Sequence, residues 1–389
     1  MLAAWIAMMA WSYVSLRHHG VMVDGQELAP TRALFLSVNA GTLTGFQQAI
    51  GINEFNPENS QGAATVLVVM LFGSLFAMIV GTMAVVRMLR LDYSIWQIIL
   101  SAFLFEFLAA MAGAAAIIRH GRTLFDAVFQ SAAAFGNCGL ATGSVSGARD
   151  GATYVLLVLA VLGGLGLPVL MELYDALWGL RSPSAHSRRV VRCAAAVYLL
   201  AFFALLLCQW PPPESQTWPG WQQAIATSNL EAINSRTAGM HFERIDVLPR
   251  AAQWLLIVLM AVGATSAGTG GGIKSNTFVQ LWRGVRDVLR GSPVGRDFGI
   301  ACVWLTAYAM LALTGLLVLL ILNDELAADQ MLFVVVSAVS NVGLSHNPIA
   351  VTGASLHILS ALMLLGRLTP LCILWWIAET TNNADLAVA

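Results

Sequence analysis

Charged residues are scarce in this sequence. Only 11% of its 389 residues are Asp, Glu, Lys or Arg, and lysine occurs once, as Lys274. Soluble globular domains carry about 25% charged residues. Hydrophobic residues make up 58% of the chain, so most of its surface is suited to lipid rather than to water. The composition predicts an all-α polytopic membrane protein.

Cysteine motifs and clusters of metal-binding side chains are also lacking. The five cysteines are scattered without CxxC spacing, which argues against a disulfide framework and against a thiolate metal site; they are Cys138, Cys193, Cys208, Cys302 and Cys372. The net charge of −1 gives no basic surface for nucleic acid. With no catalytic triad visible, we predict that the protein is not an enzyme. A membrane-embedded enzyme would need acids or histidines facing one cavity, and only Glu106 and Glu172 are candidates.

Long hydrophobic runs are abundant. Several reach the roughly 20 residues that an α-helix needs to cross a bilayer, namely 63–86, 94–118, 152–178, 190–209, 298–322 and 354–378, with 251–281 interrupted by glycines. Run 1–16 is shorter, and we interpret it as a first spanning helix. A signal peptide is the competing interpretation, disfavoured because no small-residue cleavage site precedes Arg17. Little sequence precedes this helix, so a truncated N-terminus stays an open alternative.

Four short polar stretches with a glycine recur between these runs, and we name them the glycine turns. They are Thr42–Phe46, Asn137–Leu140, Thr237–Met240 and Asn341–Leu344, and their glycines (Gly45, Gly139, Gly239 and Gly343) lie 94, 100 and 104 residues apart. Each turn follows an amphipathic segment too short to span a bilayer, at 31–41, 123–135, 220–233 and 328–340. The sequence therefore predicts four parallel repeats (1–90, 91–185, 186–292 and 293–389) with eight spanning helices and four re-entrant half-helices.

The arginines favour one orientation. If the glycine turns face outside, ten arginines fall in the inner loops against seven outside, a modest positive-inside bias; the ten are Arg87, Arg90, Arg181, Arg188, Arg189, Arg192, Arg283, Arg286, Arg290 and Arg296.

Irregular backbone at membrane depth is tolerated only inside protein or along a water-filled path. Four such turns around one axis would converge on a single site, where backbone carbonyls can replace the hydration shell of an ion. Glycine permits positive φ and close approach, and the C-terminal end of each half-helix adds negative potential for a cation. The repeated turns therefore predict a pore for a monovalent cation.

The local motifs resemble those of the Trk/Ktr/HKT superfamily of potassium transporters. The third turn, from Asn234 to Gly239, is similar to the family's TTRTAGF filter, and 131–140 is similar to its second filter. Residues 268–274 resemble its glycine-rich helix break, and 366–371 resemble its GRLGPL segment. The resemblance covers the whole chain and implies four helix–pore–helix repeats.

The resemblance implies a residue-level filter. K⁺ would be held by carbonyls at Leu43, Thr44, Asn137, Cys138, Thr237, Ala238, Asn341 and Val342, with the four glycines closing the turns. In the family, glycine in the first filter accompanies K⁺, so Gly45 favours K⁺ as the transported ion. A Na⁺-selective or Na⁺-coupled symporter stays open, as does a non-conducting paralogue. The first turn departs from the family pattern because Gln47-Gln48-Ala49 follows it.

A glycine-rich segment occupies residues 263–276, with Gly268, Gly270, Gly271, Gly272 and Lys274 in it. It is not a P-loop, because Ile273 separates the last glycine from the lysine. Each glycine in a helix interior costs about 1 kcal/mol, so the segment should interrupt a spanning helix.

Arg367 lies inside another apolar run, and membrane-depth cations are usually functional. We expect the segment to obstruct the pore below the filter, with Arg367 as an electrostatic barrier. For Lys274 and Arg367 the alternative is snorkelling to the inner interface. Glu106 is either a partner for an arginine or an ordinary packing carboxyl.

The family resemblance also implies partners. It implies a homodimer with one pore per subunit and a separate cytosolic nucleotide-binding regulatory subunit, for which the basic inner loops are the plausible docking face. No covalently bound cofactor is expected, and K⁺ enters only as the transported ion. The location expected for such a protein is the bacterial plasma (inner) membrane.

Overall fold

The computed structural model describes residues 1–18, 21–22, 27–47, 55, 61–142, 147, 150–210, 218–242, 244–265, 267–293, 295–346 and 353–386. Within these residues the regular structure is helical, apart from two isolated β-bridges. The helices are α1 (Leu2–Leu16), α2 (Pro30–Gly41), α3 (Gln61–Leu89), α4 (Ile95–Ile117), α5 (Leu124–Gly136), α6 (Gly151–Leu165), α7 (Leu167–Leu177), α8 (Ala185–Cys208), α9 (Trp218–Ile233), α10 (Arg250–Ala261), α11 (Ser275–Leu289), α12 (Arg296–Leu322), α13 (Ala328–Val339) and α14 (Ala354–Leu386). The predicted all-α polytopic fold is confirmed.

Five helices of the described residues are long and apolar enough to cross a membrane: α3, α4, α8, α12 and α14. Their outer faces expose large apolar side chains such as Phe107, Leu200 and Leu317, as expected for surfaces that contact lipid. α4 begins with a capping box. The Ser94 side chain accepts from the Gln97 backbone N–H, and the Gln97 side chain accepts from the Ser94 backbone N–H. α1 has 15 residues and is shorter than a typical span.

The predicted run 152–178 is a pair of helices rather than one straight span. α6 and α7 are bent by 102° at Gly166, which has φ +87°. That φ lies in the left-handed region, which favours glycine, and Pro168 stands at the start of α7, where proline is well tolerated. The glycines around position 165 and this proline are the sequence signals for the break.

The four predicted half-helices are present as α2, α5, α9 and α13, with bounds within three residues of those expected. Most residues of α2, α5 and α13 are buried, so these short helices lie in the interior of the molecule. The indole of Trp5 on α1 donates to the carbonyl of Gly41, the last residue of α2, at 2.8 Å. This bond satisfies a carbonyl that a helix end leaves without an intrahelical donor.

The run 251–281 is interrupted as the glycines predict. α10 ends at Ala261 and α11 begins at Ser275, and we name the intervening residues 262–274 the glycine loop. Its two ends pair through an isolated parallel bridge between Val262 and Ile273. The loop therefore leaves the helix axis and returns to it.

Candidate cation site

The four turn glycines form a closed ring in chain order. A Cβ added to Gly45 would overlap the backbone of Gly139, one on Gly139 the backbone of Gly239, and one on Gly239 the carbonyl of Val342. A Cβ on Gly343 would in turn overlap the carbonyl of Thr44, which completes the circle. Backbone meets backbone at each step, so only glycine fits at these positions. The structure thus brings together the four turns that the sequence placed about 100 residues apart.

Three of the turns share one backbone conformation. Leu43, Asn137 and Asn341 have φ of 58°, 54° and 49°, two residues before their respective glycines. The third turn differs, because residues Asn234–Ala238 form a π-helical segment that Gly239 ends at φ 61°. Short π-helical segments frequently occur at functional sites.

Each half-helix ends with a backbone hydrogen bond from a residue of the turn to the carbonyl five residues earlier. The donors and acceptors are Thr44 to Asn39 (3.0 Å), Cys138 to Ala133 (2.8 Å), Gly239 to Asn234 (3.0 Å) and Val342 to Ser337 (2.9 Å). The donor precedes the ring glycine in three turns and is the glycine itself in the third. The end of the third half-helix is therefore shifted by one residue relative to the others.

Two asparagines brace the first and third turns, Asn39, which no motif indicated, and Asn234, whose motif did not indicate this role. The Asn39 Oδ1 accepts from the backbone N–H groups of Gly45 at 2.8 Å and Phe46 at 2.9 Å. The Asn234 Oδ1 accepts from the backbone N–H of Met240 at 2.8 Å, and the Asn234 Nδ2 donates to the Met240 carbonyl at 2.7 Å. An Asn five or six residues before the glycine in two turns was the available signal.

The asparagines of the second and fourth turns connect the ring to its surroundings. The Asn137 Nδ2 donates to the Thr269 hydroxyl in the glycine loop at 2.6 Å. The Asn341 Nδ2 donates to the Thr44 hydroxyl at 3.0 Å and to the Met363 carbonyl of α14 at 2.9 Å. These side chains therefore hold neighbouring turns and elements in register.

Arg367 lies at the junction of the first turn and the glycine loop. It is buried, and its Nε donates to the Thr42 carbonyl at 2.8 Å while its Nη1 donates to the Thr269 carbonyl at 2.6 Å. Its Nη2 also donates to the Thr42 carbonyl. Snorkelling is therefore wrong for Arg367, whose guanidinium is held inside the protein.

Two further cations also bond to carbonyls. The half-buried Lys274 donates through Nζ to the Gly270 carbonyl at 2.8 Å, within the glycine loop itself. Arg236 of the third turn donates to the carbonyls of Val262 at 3.2 Å and Gly263 at 3.1 Å. Arg236 lies within the third motif, but the motif alone gave no indication of these bonds.

Glu106 is buried on α4. The two arginines near the glycine turns, Arg236 and Arg367, donate their hydrogen bonds to backbone carbonyls. Among the described residues the Glu106 carboxylate oxygens find no hydrogen bond of normal geometry, and their polar neighbour is the Ser74 hydroxyl. Of the two sequence interpretations, pairing with an arginine is wrong for Arg236 and Arg367.

The glycine loop contacts the ends of the half-helices. The Thr269 hydroxyl donates to the Phe135 carbonyl at 3.1 Å, and a Cβ on Gly271 would overlap the Ser340 carbonyl. On its other side the Thr265 hydroxyl donates to the Leu165 carbonyl at 2.8 Å, at the α6–α7 break. The loop is therefore wedged between the second and fourth turns and the bent helix pair.

The space between the glycine loop and α14 is narrow. A cavity of about 10 Å³ lies there, and its walls include Gly268, Lys274, Arg367 and Pro370. Such a volume holds about one water molecule. A hydrated ion does not fit between the glycine loop and α14 in this arrangement.

Polar side chains that follow the glycine turns in the chain also form contacts with one another and with backbone. Arg244 pairs with Asp246, and this hydrogen bond lowers the pKa of the Asp246 carboxyl from its ordinary value. His346 contacts Gln253 at 2.8 Å. The Gln47 amide donates to the Ala141 carbonyl at 3.1 Å and links the first and second turns. The predicted departure at Gln48 and Ala49 falls outside the described residues.

All twelve predicted turn residues lie in or beside the glycine ring, and the side chain of Thr237 is outside the described part. The predicted Gly268, Gly270, Gly271, Gly272 and Lys274 all lie in the glycine loop. Among the described residues no group of three or more His, Cys, Asp or Glu side chains could hold a metal ion.

A model of the TrkH family, described as a cation transport protein, matches residues 81–383. That span includes three of the four glycine turns, and the first turn precedes it. The second, third and fourth turns, the glycine loop and Arg367 all fall within it.

Curated relatives are potassium uptake proteins of the Ktr system. Protein B from Vibrio alginolyticus is 29% identical over 273 residues, which cover 66% of this chain and 59% of the relative. Protein D from Bacillus subtilis is 23% identical, over 60% of this chain and 54% of the relative. Protein B from Bacillus subtilis is 24% identical, over 67% and 61%. The matches thus span less than two thirds of each relative's length.

A solved structure has the same fold. The crystal structure of the potassium transporter TrkH from Vibrio parahaemolyticus matches with a TM-score of 0.72 and 18% identity. The match covers 97% of this chain and 84% of that one. At this sequence identity the similarity shows a shared fold and nothing about function.

Proposed function

This chain belongs to the TrkH family of cation transport proteins, and on that premise we propose that it takes up K⁺ through the pore enclosed by its four glycine turns. The family is one of transporters rather than enzymes, and the chain is an integral membrane protein. The bacterial relatives carry potassium uptake in their names, and we assign the chain to the bacterial plasma (inner) membrane.

The observation that carries the proposal is the cyclic closure of the glycine ring. Backbone from four turns meets around one axis, and Gly45, Gly139, Gly239 and Gly343 each leave no room for a side chain. In our proposal the carbonyls of the paired residues before each glycine bind the dehydrated ion, as carbonyl rings do in other cation filters. Gly45 in the first turn supports K⁺ over Na⁺.

We further propose that the glycine loop and Arg367 restrict flow below this filter. The loop contacts residues at which the half-helices end, and the remaining space beside α14 holds about one water molecule. The Arg367 guanidinium adds a positive charge at the same level, fixed by bonds to Thr42 and Thr269. Conduction then requires the loop to move away from the ring.

The partner proposal rests on the relatives and the inner loops. The word "system" in the relatives' names supports a second component, and we propose a homodimer that binds a cytosolic nucleotide-binding subunit. The arginines of segments 87–93, 179–192 and 283–297, which lie partly in loops and partly at the ends of helices, supply the proposed docking face.

Growth rescue tests the proposed function. Expression in a host that lacks K⁺ uptake should restore growth at low K⁺, and cells should accumulate Rb⁺ in preference to Na⁺. Gly239→Ser should abolish both, because its Cβ would overlap the Val342 carbonyl and its φ is positive. Gly299→Ser is the matched control, because Gly299 is exposed and its Cβ would meet nothing within 4 Å.

Two outcomes would contradict the proposal. Na⁺ accumulation without Rb⁺ accumulation would support the Na⁺-selective alternative. Absence of flux for either ion from a correctly inserted wild-type chain would support the non-conducting alternative.

A further inference from the structure

A second cavity, of about 320 Å³, lies beside the glycine loop and away from the ring. It is enclosed by α6, α8, the third half-helix with its π-helical segment, and the loop, and its walls include Val161, Val191, Ala194, Tyr198, Ile233 and Thr265. The volume lies within the range of small-molecule binding sites. Its position places an occupant directly against the glycine loop.

The polar groups in the cavity wall are bonded to protein. The Tyr198 hydroxyl donates to Asn229 Oδ1 at 2.6 Å, and the Thr265 hydroxyl donates to the Leu165 carbonyl at 2.8 Å. Nε and Nη2 of Arg236 bond to carbonyls at the end of α10. The surface left for a ligand is therefore mainly aliphatic and aromatic, which fits a hydrocarbon chain.

α8 connects the cavity to the lipid-facing surface. Val191, Ala194, Ala195 and Tyr198 follow the spacing of one helix face, and all four line the cavity. Val191 is 43% exposed, so this wall opens outward at the first turns of the helix. A chain could therefore enter from the membrane without crossing a packed core.

A cluster of arginines lies at this open end. Arg188 is one helical turn before Val191 on the same face, Arg192 follows directly, and both are exposed. The nearby acid Glu172 is buried and accepts a hydrogen bond from the Ser184 backbone N–H at 2.7 Å. Basic pockets between spanning helices on the inner side bind anionic lipid headgroups.

We propose that this cavity binds one acyl chain of an anionic phospholipid of the inner leaflet, with its phosphate held by Arg188 and Arg192. The bound chain packs against Ala264 and Thr265 of the glycine loop and against Ser275, the first residue of α11, and keeps the loop in its observed position. Lipid occupancy thereby sets how readily the pore opens, and this regulatory part rests on the proposed function.

The volumes on the two sides of the loop support the regulatory part. The space toward α14 holds about one water molecule, whereas the cavity toward α8 offers about 320 Å³. A loop that retracts from the ring can move toward the larger space only when that space is empty. An acyl chain in the cavity therefore opposes retraction.

Lipid retention by the purified full chain tests the binding site. Native mass spectrometry with phosphatidylglycerol and phosphatidylcholine should show one phosphatidylglycerol retained under conditions that remove phosphatidylcholine. Ala194→Trp, which fills the cavity, should weaken retention about tenfold, the effect of losing burial of about two methylene groups. Arg188→Gln combined with Arg192→Gln should abolish the preference for the anionic headgroup.

Ala196→Trp is the matched control, because Ala196 is exposed on α8 and does not line the cavity. Equal retention of the two lipids by the wild type, or undiminished retention by Ala194→Trp, would overturn the proposal. Thermal unfolding of each variant shows whether lost retention reflects misfolding.

Rb⁺ flux into proteoliposomes tests the regulatory part. Wild-type flux should fall when phosphatidylglycerol is added to phosphatidylcholine vesicles, and the double arginine variant should lose this response. A wild-type flux that is the same in both vesicles would overturn regulation by lipid. Absence of any wild-type flux would contradict the proposed function instead, and the retention measurement would still decide the binding site.

Discussion

Arg367 donates three hydrogen bonds to two backbone carbonyls inside the molecule, those of Thr42 and Thr269. Hydrogen bonds from charged donors are stronger than neutral ones, and removal of a buried charge's partners is costly. The bonds therefore fix a positive charge between the first turn and the glycine loop. In the proposed pore, a cation that leaves the ring on this side would meet that charge.

Replacement of this arginine should increase ion flow. We expect Arg367→Ala to raise Rb⁺ flux about tenfold, the effect of lowering a barrier by about 1.4 kcal/mol. Rb⁺ uptake per inserted molecule is the measurement, and Arg119→Ala, an exposed arginine in the turn after α4, is the control. Unchanged flux in Arg367→Ala at wild-type insertion would contradict a barrier at this position.

Thr269 joins three elements through one side chain and one carbonyl. Its hydroxyl bonds to Asn137 and to the Phe135 carbonyl, and its carbonyl accepts from Arg367. We expect Thr269→Val to loosen the glycine loop and raise Rb⁺ flux, because a neutral hydrogen bond contributes about 1 kcal/mol. Thr369→Val should leave flux unchanged, since within the described part of the chain that hydroxyl bonds to Leu365 of its own helix. A rise in Rb⁺ flux in both variants would contradict a specific role of Thr269.

The sequence predicts residue positions only where the constraint is local. Glycine at the ring follows from close approach and positive φ, so Gly45, Gly239 and Gly343 could be found from the repeat. The bracing roles of Asn39 and Thr269 depend on which backbone groups come within reach after folding. Asn39 bonds within its own turn, and only its spacing from Gly45, which resembles that of Asn234 from Gly239, indicated the role. Thr269 reaches the second turn from another repeat, and that pairing has no spacing rule.

At the scale of elements, the half-helices were the most predictable part. Segments of 11–14 apolar residues cannot span a bilayer, and the polar turns after them mark their ends. The run 152–178 is long enough to span but is bent by 102°, a shape that apolarity does not reveal because it does not distinguish a straight span from a bent pair. Gly166 and Pro168 are the residues that make the break, and the glycine loop packs against it.

Gly166 should be sensitive to any side chain. Its φ is +87° and a Cβ would lie 2.8 Å from the Ala267 carbonyl carbon, so we expect Gly166→Ala to cost about 1–3 kcal/mol. Thermal unfolding in detergent measures the loss. Gly179→Ala is a control with a similar φ of +69° and open space around its Cβ. Equal shifts in the two variants would mean that backbone conformation, and not contact with the glycine loop, sets the cost.

At the scale of the whole molecule, the ring depends on contacts between residues about 100 and 300 positions apart. Gly343 of the last repeat closes on Thr44 of the first, so no turn completes the site by itself. The repeat pattern predicts that four turns exist and are similar. It does not predict their cyclic order or the one-residue shift of the third turn, because both arise from packing between repeats.

The distribution of charge predicts the direction of the ring relative to the membrane, with ten arginines inside and seven outside. In a variant without native cysteines, we expect Asp324→Cys to react with a membrane-impermeant maleimide on intact cells. Ser292→Cys should react only after permeabilisation, because its loop follows the basic end of α11. Both positions are exposed, so a difference in labelling reports sidedness. The reverse labelling pattern would place Arg188 and Arg192 at the outer leaflet, and K⁺ uptake would then have to enter past the glycine loop before reaching the ring.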